Sequence, residues 1–414
     1  MKRALVLATM DTKGLEAIYL KDALKTLGVE PLLMDLSMRY GRKAAPSGIR
    51  ADLVARAGGS SLDALSLSRD MAANMACMIR GAISIVSRLL RERKISGILG
   101  IGGCTASLMI AAVMQSMPFG LPKVIVSSAA AQPGLSNQFL KTSDIMLFHS
   151  VFEIFGLSDP VRNVLERAAG AFRGMIEGPV IVPAVNKEKT IAMTMMSPCE
   201  KCAHSVRLTL EENGYKVVGF HANGVGDRVM EEMIGAGSFS GVVDLAPGGV
   251  AEHVFGFMRD AGPARMETAS KQGFPQVISM CGVNHITPSR SVAKLKYGKR
   301  RKFDLDEYRT WIRMSPGELQ KVSKIFAGKL NKSTGPVKVV MPLKGWSSVD
   351  SPGSPTYDPE EDMIFAKGLR SVLKKEIEII EVDANLEDPE FARAVAMAAS
   401  NLFKAERLKG YNTG

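Results

Sequence analysis

The sequence predicts an α/β fold built of two doubly wound domains with mainly parallel sheets. Three observations carry that expectation. Short β-branched or aliphatic runs alternate with helical-period segments along the whole chain, the pattern of parallel strands joined by crossover helices. At 414 residues the chain has room for two or three domains. The halves also echo each other: Leu24, Gly28 and Asp35 are spaced like Leu210, Gly214 and His221, each set running from helix end through a glycine turn to a strand end. Both glycines suit a left-handed helix C-cap. The echo fits either a duplication or two βαβ units obeying the same rules.

In the first part, strands are expected at Ala4–Thr9, Glu30–Asp35, Gly97–Ile101, Lys123–Ser127 and Asp144–Phe148. Helices are expected at Leu15–Leu27, within Asp70–Arg93, at Thr105–Met114 and at Val161–Glu177. Gly178-Pro179 marks the boundary, which divides the chain into 1–179 and 180–414. The second part repeats the pattern, with strands expected at Ile191–Met195, Lys216–His221, Gly241–Leu245, Gln276–Met280, Val337–Pro342 and Glu378–Glu381. Helices follow at Pro316–Leu330 and Pro389–Leu408. The polar, basic segment 289–302 interrupts this rhythm and reads as a long loop or excursion.

Composition removes several function classes. The hydrophobic fraction of 46% and charged fraction of 23% are those of a globular chain. The formal charge is +11, but between Ile286 and Lys332 13 Lys and Arg stand against 4 Asp and Glu, so the excess is local. A nucleic-acid binder more often spreads its charge along a groove or helix face, and the segment reads first as a solvated surface or interdomain contact. Asp11 and Lys13 follow too few apolar residues for a signal peptide. The uncharged run from Ile95 to Pro122 is long enough to span a membrane, but its glycines, Gln115 and Pro118 make it a buried strand, turn and helix. Five cysteines form no disulfide framework, and the odd count fits a reducing cytoplasm. The 24 methionines read as core filler.

The strongest chemical signal is ILGIGGCTASLMIAAVM, from Ile98 to Met114. A strand runs into Gly102 and Gly103, and Thr105 and Ser107 open a helix whose free N–H groups can cradle phosphate. The dinucleotide fingerprint is incomplete, because its third glycine would fall at Thr105, and the chain has no GK[ST] motif. The bland alternative is a tight turn whose glycines only permit packing. Companion loops support a ligand. After the first strand stand Asp11, Thr12 and Lys13, where Lys13 can meet a phosphate and Asp11 can hold Mg²⁺ directly or through water. Asp35 ends the second strand, where many such folds bind a ribose. Ser127 and Ser128 end the fourth strand, and Ser143 and Asp144 adjoin the fifth. Each can equally serve as a cap or turn residue.

In the second part, Cys199 and Cys202 form a CxxC at an expected helix start, readable as a redox pair, half a zinc site, or core. His221 sits in a glycine-rich loop as a candidate base or anion contact, and His285 carries the same ambiguity. Ser347 and Asp358 lie in a turn-rich loop after an apolar strand, with Asp358-Pro359 also fitting a plain helix start. Cys199, His221, Ser347 and Asp358 are the catalytic candidates.

The segments Asp11-Thr12-Lys13-Gly14, ILGIGGCTAS, MPFGLPKVIVSS, SDIMLFHSVFEIFG, FHANGVGDRVMEEM and PLKGWSSVDSPGSPTYDP follow in this order. In them the chain resembles, over nearly its whole length, the uncharacterised bacterial, archaeal and plant family that shares the ATP-binding region of the tomato mosaic virus resistance protein. The resemblance implies two Rossmann-like domains, ATP with a divalent cation in the first, and a homodimer, with no established reaction. Thr105 and Ala106 stand where the family has glycines. Two functional readings follow. One is an ATP-Mg²⁺-dependent enzyme acting on a small molecule between the domains. The other is a non-catalytic, nucleotide-responsive regulatory protein.

Overall fold

Strand β1 (Arg3–Ala8) shows how the first sheet is made. It lies between β2 (Glu30–Asp35) and β3 (Gly97–Gly102), parallel to both, and β4 (Lys123–Ser127) and β5 (Met146–His149) complete the order β2-β1-β3-β4-β5. Successive side chains of a strand face opposite ways. Leu5 and Leu7 accordingly join one core with Met78, Ala82 and Met109, whereas Ala4, Val6 and Ala8 join another with Leu20, Leu165 and Phe172. Each face is therefore covered by helices, Met71–Arg91 and Cys104–Gln115 on one and Met10–Thr26 and Asp159–Glu177 on the other. Burial on both sides is what a central strand reading ALVLA requires.

A computed structural model describes residues 2–39, 48–178 and 189–411. The chain divides into two compact units, Met1–Pro183 and Ala184–Gly414. The second contains β6 (Thr190–Met195), β7 (Lys216–His221), β8 (Gly241–Asp244), β9 (Gln276–Ile278), β13 (Val337–Pro342) and β14 (Glu378–Val382). Their order, β14-β13-β9-β8-β6-β7, repeats that of the first sheet with one strand added. All its pairings are parallel. The echo read in the sequence has a structural counterpart: Gly28 and Gly214 take φ of +77° and +81°. Asp35 pairs with Ala8 as His221 pairs with Met195. Both units are thus mainly parallel α/β folds.

The basic segment, expected as a long loop or excursion, is an excursion with regular structure of its own. Helix Arg290–Lys296 leads into a three-stranded antiparallel sheet of β10 (His285–Ile286), β11 (Lys302–Asp304) and β12 (Thr310–Arg313), in the order β10-β12-β11. Strands of two to four residues offer too little alternation to be read from sequence. Much of the local charge is paired: Arg300 with Glu318 at 2.6 Å, Arg301 with Glu361 at 2.5 Å, and Arg309 with Asp306 at 2.6 Å. Among the described residues one helix, Met71–Arg91, is long and apolar enough to cross a membrane by length and composition. Its Met78, Ala82 and Val86 lie in the first unit's core.

Candidate functional site

In an open sheet of order 2-1-3-4-5, connections leave the first and third strands toward opposite faces, so a crevice opens at their carboxyl ends. In the first unit this crevice lies between β1 and β3, and it holds a cavity of about 500 Å³. Thr9, Asp11, Thr12 and Lys13 from the loop after β1 line it, as do Gly103, Cys104 and Thr105 from the turn after β3. Met38, Met71 and Met109 give it an apolar side. The volume is in the range of small-ligand sites.

The two loops are shaped by different forces. After β1 the chain enters the helix Met10–Thr26, which kinks at Lys13 (φ −125°, ψ 23°). Asp35 holds this turn from the next strand: its Oδ1 accepts from the Met10 N–H at 3.1 Å and from the Ser37 N–H at 2.9 Å. Ser37 in turn accepts from the Asp11 N–H at 3.1 Å and donates to Asp11 Oδ1 at 3.1 Å. Loss of solvent raises the Asp11 pKa; the Ser37 hydroxyl opposes this, and the Asp35 carboxylate adds to it. Lys13 reaches the loop after β5, with Nζ 3.2 Å from Glu153 Oε1 and hydrogen-bonded to the Ile154 carbonyl. Hydrogen bonds from Lys13 and Ser128 keep the Glu153 carboxyl below its usual range.

After β3 the glycines separate into two kinds. A Cβ on Gly100 would meet Ile110 at 2.3 Å and one on Gly102 would meet Ala106 at 2.4 Å, so both are set by strand–helix packing. A Cβ on Gly103 would meet nothing nearer than the Ser128 hydroxyl at 3.8 Å. Gly103 is the N-cap of Cys104–Gln115, and no side chain among the described residues caps that helix. Its first turn also carries no acidic residue. Its leading N–H groups and the positive end of its dipole therefore border the cavity with no side-chain acceptor on them among the described residues.

Other expected residues sit elsewhere. Asp35 is not on the cavity wall, since its Oδ1 is committed to the turn it holds. Ser107 and Ser127 are fully buried and bonded to each other at 2.7 Å, tying the helix to β4. Ser143 and Asp144 precede β5 and so lie at the amino ends of the strands, opposite the cavity. Asp144 pairs with Lys123, the first residue of β4, at 2.5 Å. Placing them with the carboxyl-end loops was an error of strand direction.

In the second unit, three of the four catalytic candidates are used by the fold. Cys199 and Cys202 are buried in the core, as is Cys281. Burial first, then the neighbouring Cys199 and Glu387, push the Cys202 thiol well above its usual pKa, the reverse of a reactive thiol. Among the described residues no three His, Cys, Asp or Glu side chains group as metal ligands. Ser347 is fully buried, and Asp358 caps the helix Pro359–Val372 by accepting from the Glu361 N–H at 2.8 Å and pairs with Arg301 at 3.0 Å. Burial chiefly, with Arg313 and Arg259 adding to it, lowers the pKa of His285, which has no accessible surface. His221 lines a cavity at the carboxyl ends of β6 and β7.

Comparison with known proteins fits this architecture. A model described as the N-terminal domain of the uncharacterised protein family UPF0261 matches residues 2–180, and its C-terminal counterpart matches 188–403. The chain belongs to the UPF0261 family. A UPF0261 protein of Clostridium tetani is 33% identical over 407 residues, covering 97% of this chain and 99% of that protein. A UPF0261 protein of Brucella suis biovar 1 is 30% identical over 399 residues, covering 95% of this chain and 94% of that protein. The ToMV resistance protein Tm-1(GCR237) of Solanum lycopersicum is 30% identical over 334 residues, which cover 77% of this chain but 44% of the tomato protein.

Within this UPF0261 chain, the sequence signals missed one side of the first cavity. Arg39, Asn74 and Cys104 line it with the three methionines. Met38 and Arg39 follow β2 and Met71 and Asn74 begin a helix, so they come from positions where a methionine reads as core. The one available hint was the carboxyl-end position of Met38 and Arg39, three and four residues beyond the strand end at Asp35.

Proposed function

We propose that the N-terminal unit binds ATP with Mg²⁺ and that nucleotide occupancy is the basis of this protein's activity. The observation that carries this reading is the cavity at the β1/β3 switch point, which joins an uncapped helix N-terminus to an apolar methionine wall. The N–H groups of Cys104, Thr105 and Ala106 and the Lys13 ammonium would meet the phosphates. Met38, Met71 and Met109 would pack on the base. Mg²⁺ usually keeps several waters and takes one or two protein carboxylates beside the phosphates. Asp11, whose charge is disfavoured in the ligand-free protein, fits that role.

A non-catalytic, nucleotide-responsive protein is the second reading. It is supported by Cys199 and Ser347 being buried and Asp358 being a helix cap. Intact ATP binding with no turnover of any nucleoside triphosphate would favour it over an enzyme.

Thr105→Glu tests the site. A carboxylate in the first helical turn is compatible with the dipole, so the fold should persist, but it would occupy the phosphate position. Calorimetry should show ATP-Mg²⁺ binding weakened by about 100-fold or more, equivalent to about 2.7 kcal/mol. Equal affinity in the variant would refute the assignment.

A further inference from the structure

The second unit carries a separate cavity of about 140 Å³ at the carboxyl ends of β6 and β7, roofed by β12 and the turn before it. We propose that it is a binding site for a small carboxylate, with the Arg259 guanidinium as its anchor. Arg259 is 7% exposed and held from several sides. Its Nε and Nη2 lie 3.0 and 2.7 Å from Glu252 Oε1, Nε also lies 3.0 Å from the Thr287 hydroxyl, and the guanidinium lies over the Trp311 ring at 4.8 Å. Nη1 is different. Its one hydrogen-bond contact among the described residues is the Met196 thioether at 3.7 Å, a weak acceptor. Met196 and Arg259 both line the cavity. Arg259 thus lines the cavity with a guanidinium whose Nη1, beside Gly248 and Gly282, has no oxygen partner among the described residues, a state that favours an acceptor ligand.

The rest of the lining joins an apolar part, Ala222, Met258, Leu305 and Trp311, to polar side chains that include His221. Ser197, Asn223 and Arg309 bring further donors, and no carboxylate is among the lining residues. Asn223 Oδ1 is occupied by the Gly226 N–H at 2.9 Å, which orients its amide. Glu252 and Asp306 pair with Arg259 and Arg309. These pairs offset the two guanidinium charges within the protein, which makes burial of Arg259 tolerable. At about 140 Å³ the cavity suits a small ligand, and an acid of about three carbons is the class proposed for it.

The test is titration of the full chain with pyruvate and with its neutral analogue pyruvamide, followed by ligand-detected NMR. Pyruvate should bind at least about tenfold more tightly than pyruvamide, and citrate should not compete for the site. Ser197 is exposed, so Ser197→Asp should fold and should abolish pyruvate binding by placing a carboxylate in the cavity. Arg309→Gln should weaken it several-fold. In Thr105→Glu, pyruvate binding should be unchanged, which separates this site from the nucleotide cavity. Equal affinity for pyruvate and pyruvamide, no pyruvate binding, or binding that survives Ser197→Asp would each overturn the proposal.

Discussion

The two units share a strand order and differ at the same place in it. In the first, the crevice between the first and third strands is open, and Gly103 has free space before its Cα. In the second, the glycine pair after the third strand is closed in. A Cβ on Gly248 would meet the Gly282 carbonyl at 2.4 Å, and one on Gly249 would meet Ala261 at 2.6 Å. Beneath that pair, fully buried Arg265 contacts Asp244 at 2.7 Å, Asp227 at 2.7 Å and Glu231 at 3.5 Å. Thr194 at the end of β6 donates to Asp244 at 2.6 Å. Burial works against the Arg265 charge, but Asp244 and Asp227 outweigh it, and its pKa is raised. One topology therefore yields an open crevice where polar groups line a cavity, and a structural ion network where the protein supplies its own counter-charges.

The largest expected effect follows from that contrast. Arg265→Met would leave three carboxylates buried around an apolar side chain and should cost about 3–5 kcal/mol. Lys13→Met, in the matching region of the first unit, removes an ion pair with a mostly exposed glutamate and should cost about 1 kcal/mol or less. Both tryptophans, Trp311 and Trp346, lie in the second unit. Urea titration followed by their fluorescence would therefore register Arg265→Met as a loss in midpoint and leave Lys13→Met nearly unchanged.

The two glycines of the first crevice give the next effect. Gly102→Ala should destabilise by about 1–3 kcal/mol through overpacking against Ala106. Gly103→Ala should stay within about 0.5 kcal/mol, because its φ of −83° suits any residue. Thermal unfolding followed by circular dichroism checks both, and equal losses would show Gly103 to be a packing residue after all.

Charge compensation gives the smaller effects. Burial raises the Glu267 pKa, but Lys332, Lys271 and Lys329 prevail and hold it at about 2, below its ordinary 4.5. Its stabilisation is then complete above about pH 4.5 and lost as the pH falls through about 2. Glu267→Gln should cost about 1 kcal/mol at pH 7, with the difference from the native chain shrinking at pH 3. Asp11 has the opposite sign, since its folded pKa is raised and its charge weakens the fold above that pKa. Asp11→Asn should raise the stability of the first unit at pH 7 without Mg²⁺, a shift that thermal unfolding would read. A loss of stability there would mean that the protein already compensates Asp11.

The parallel sheets were legible because buried strands such as ALVLA and KVIVS carry no competing pattern. The glycine turns were legible because φ above zero selects glycine at positions 28 and 214. Loop chemistry was legible only where strand direction was applied: Asp11, Thr12, Lys13, Gly103 and Thr105 follow strands and line the cavity. Ser143 and Asp144 precede one and do not. Burial was the second blind spot, because Ser107, Ser127, Cys199 and Ser347 look reactive in sequence while tertiary packing encloses them. Arg259, 38 residues beyond the end of β7 and with no motif around it, could be found only from its contacts.

Amide hydrogen exchange with and without ATP-Mg²⁺ tests the central claim most directly. The nucleotide should protect the amides of Thr9–Lys13 and Gly103–Ser107 and leave those around Met196–Cys199 and Asp244–Gly249 unchanged. Protection at the second unit's switch point, or none at the first, would contradict the account.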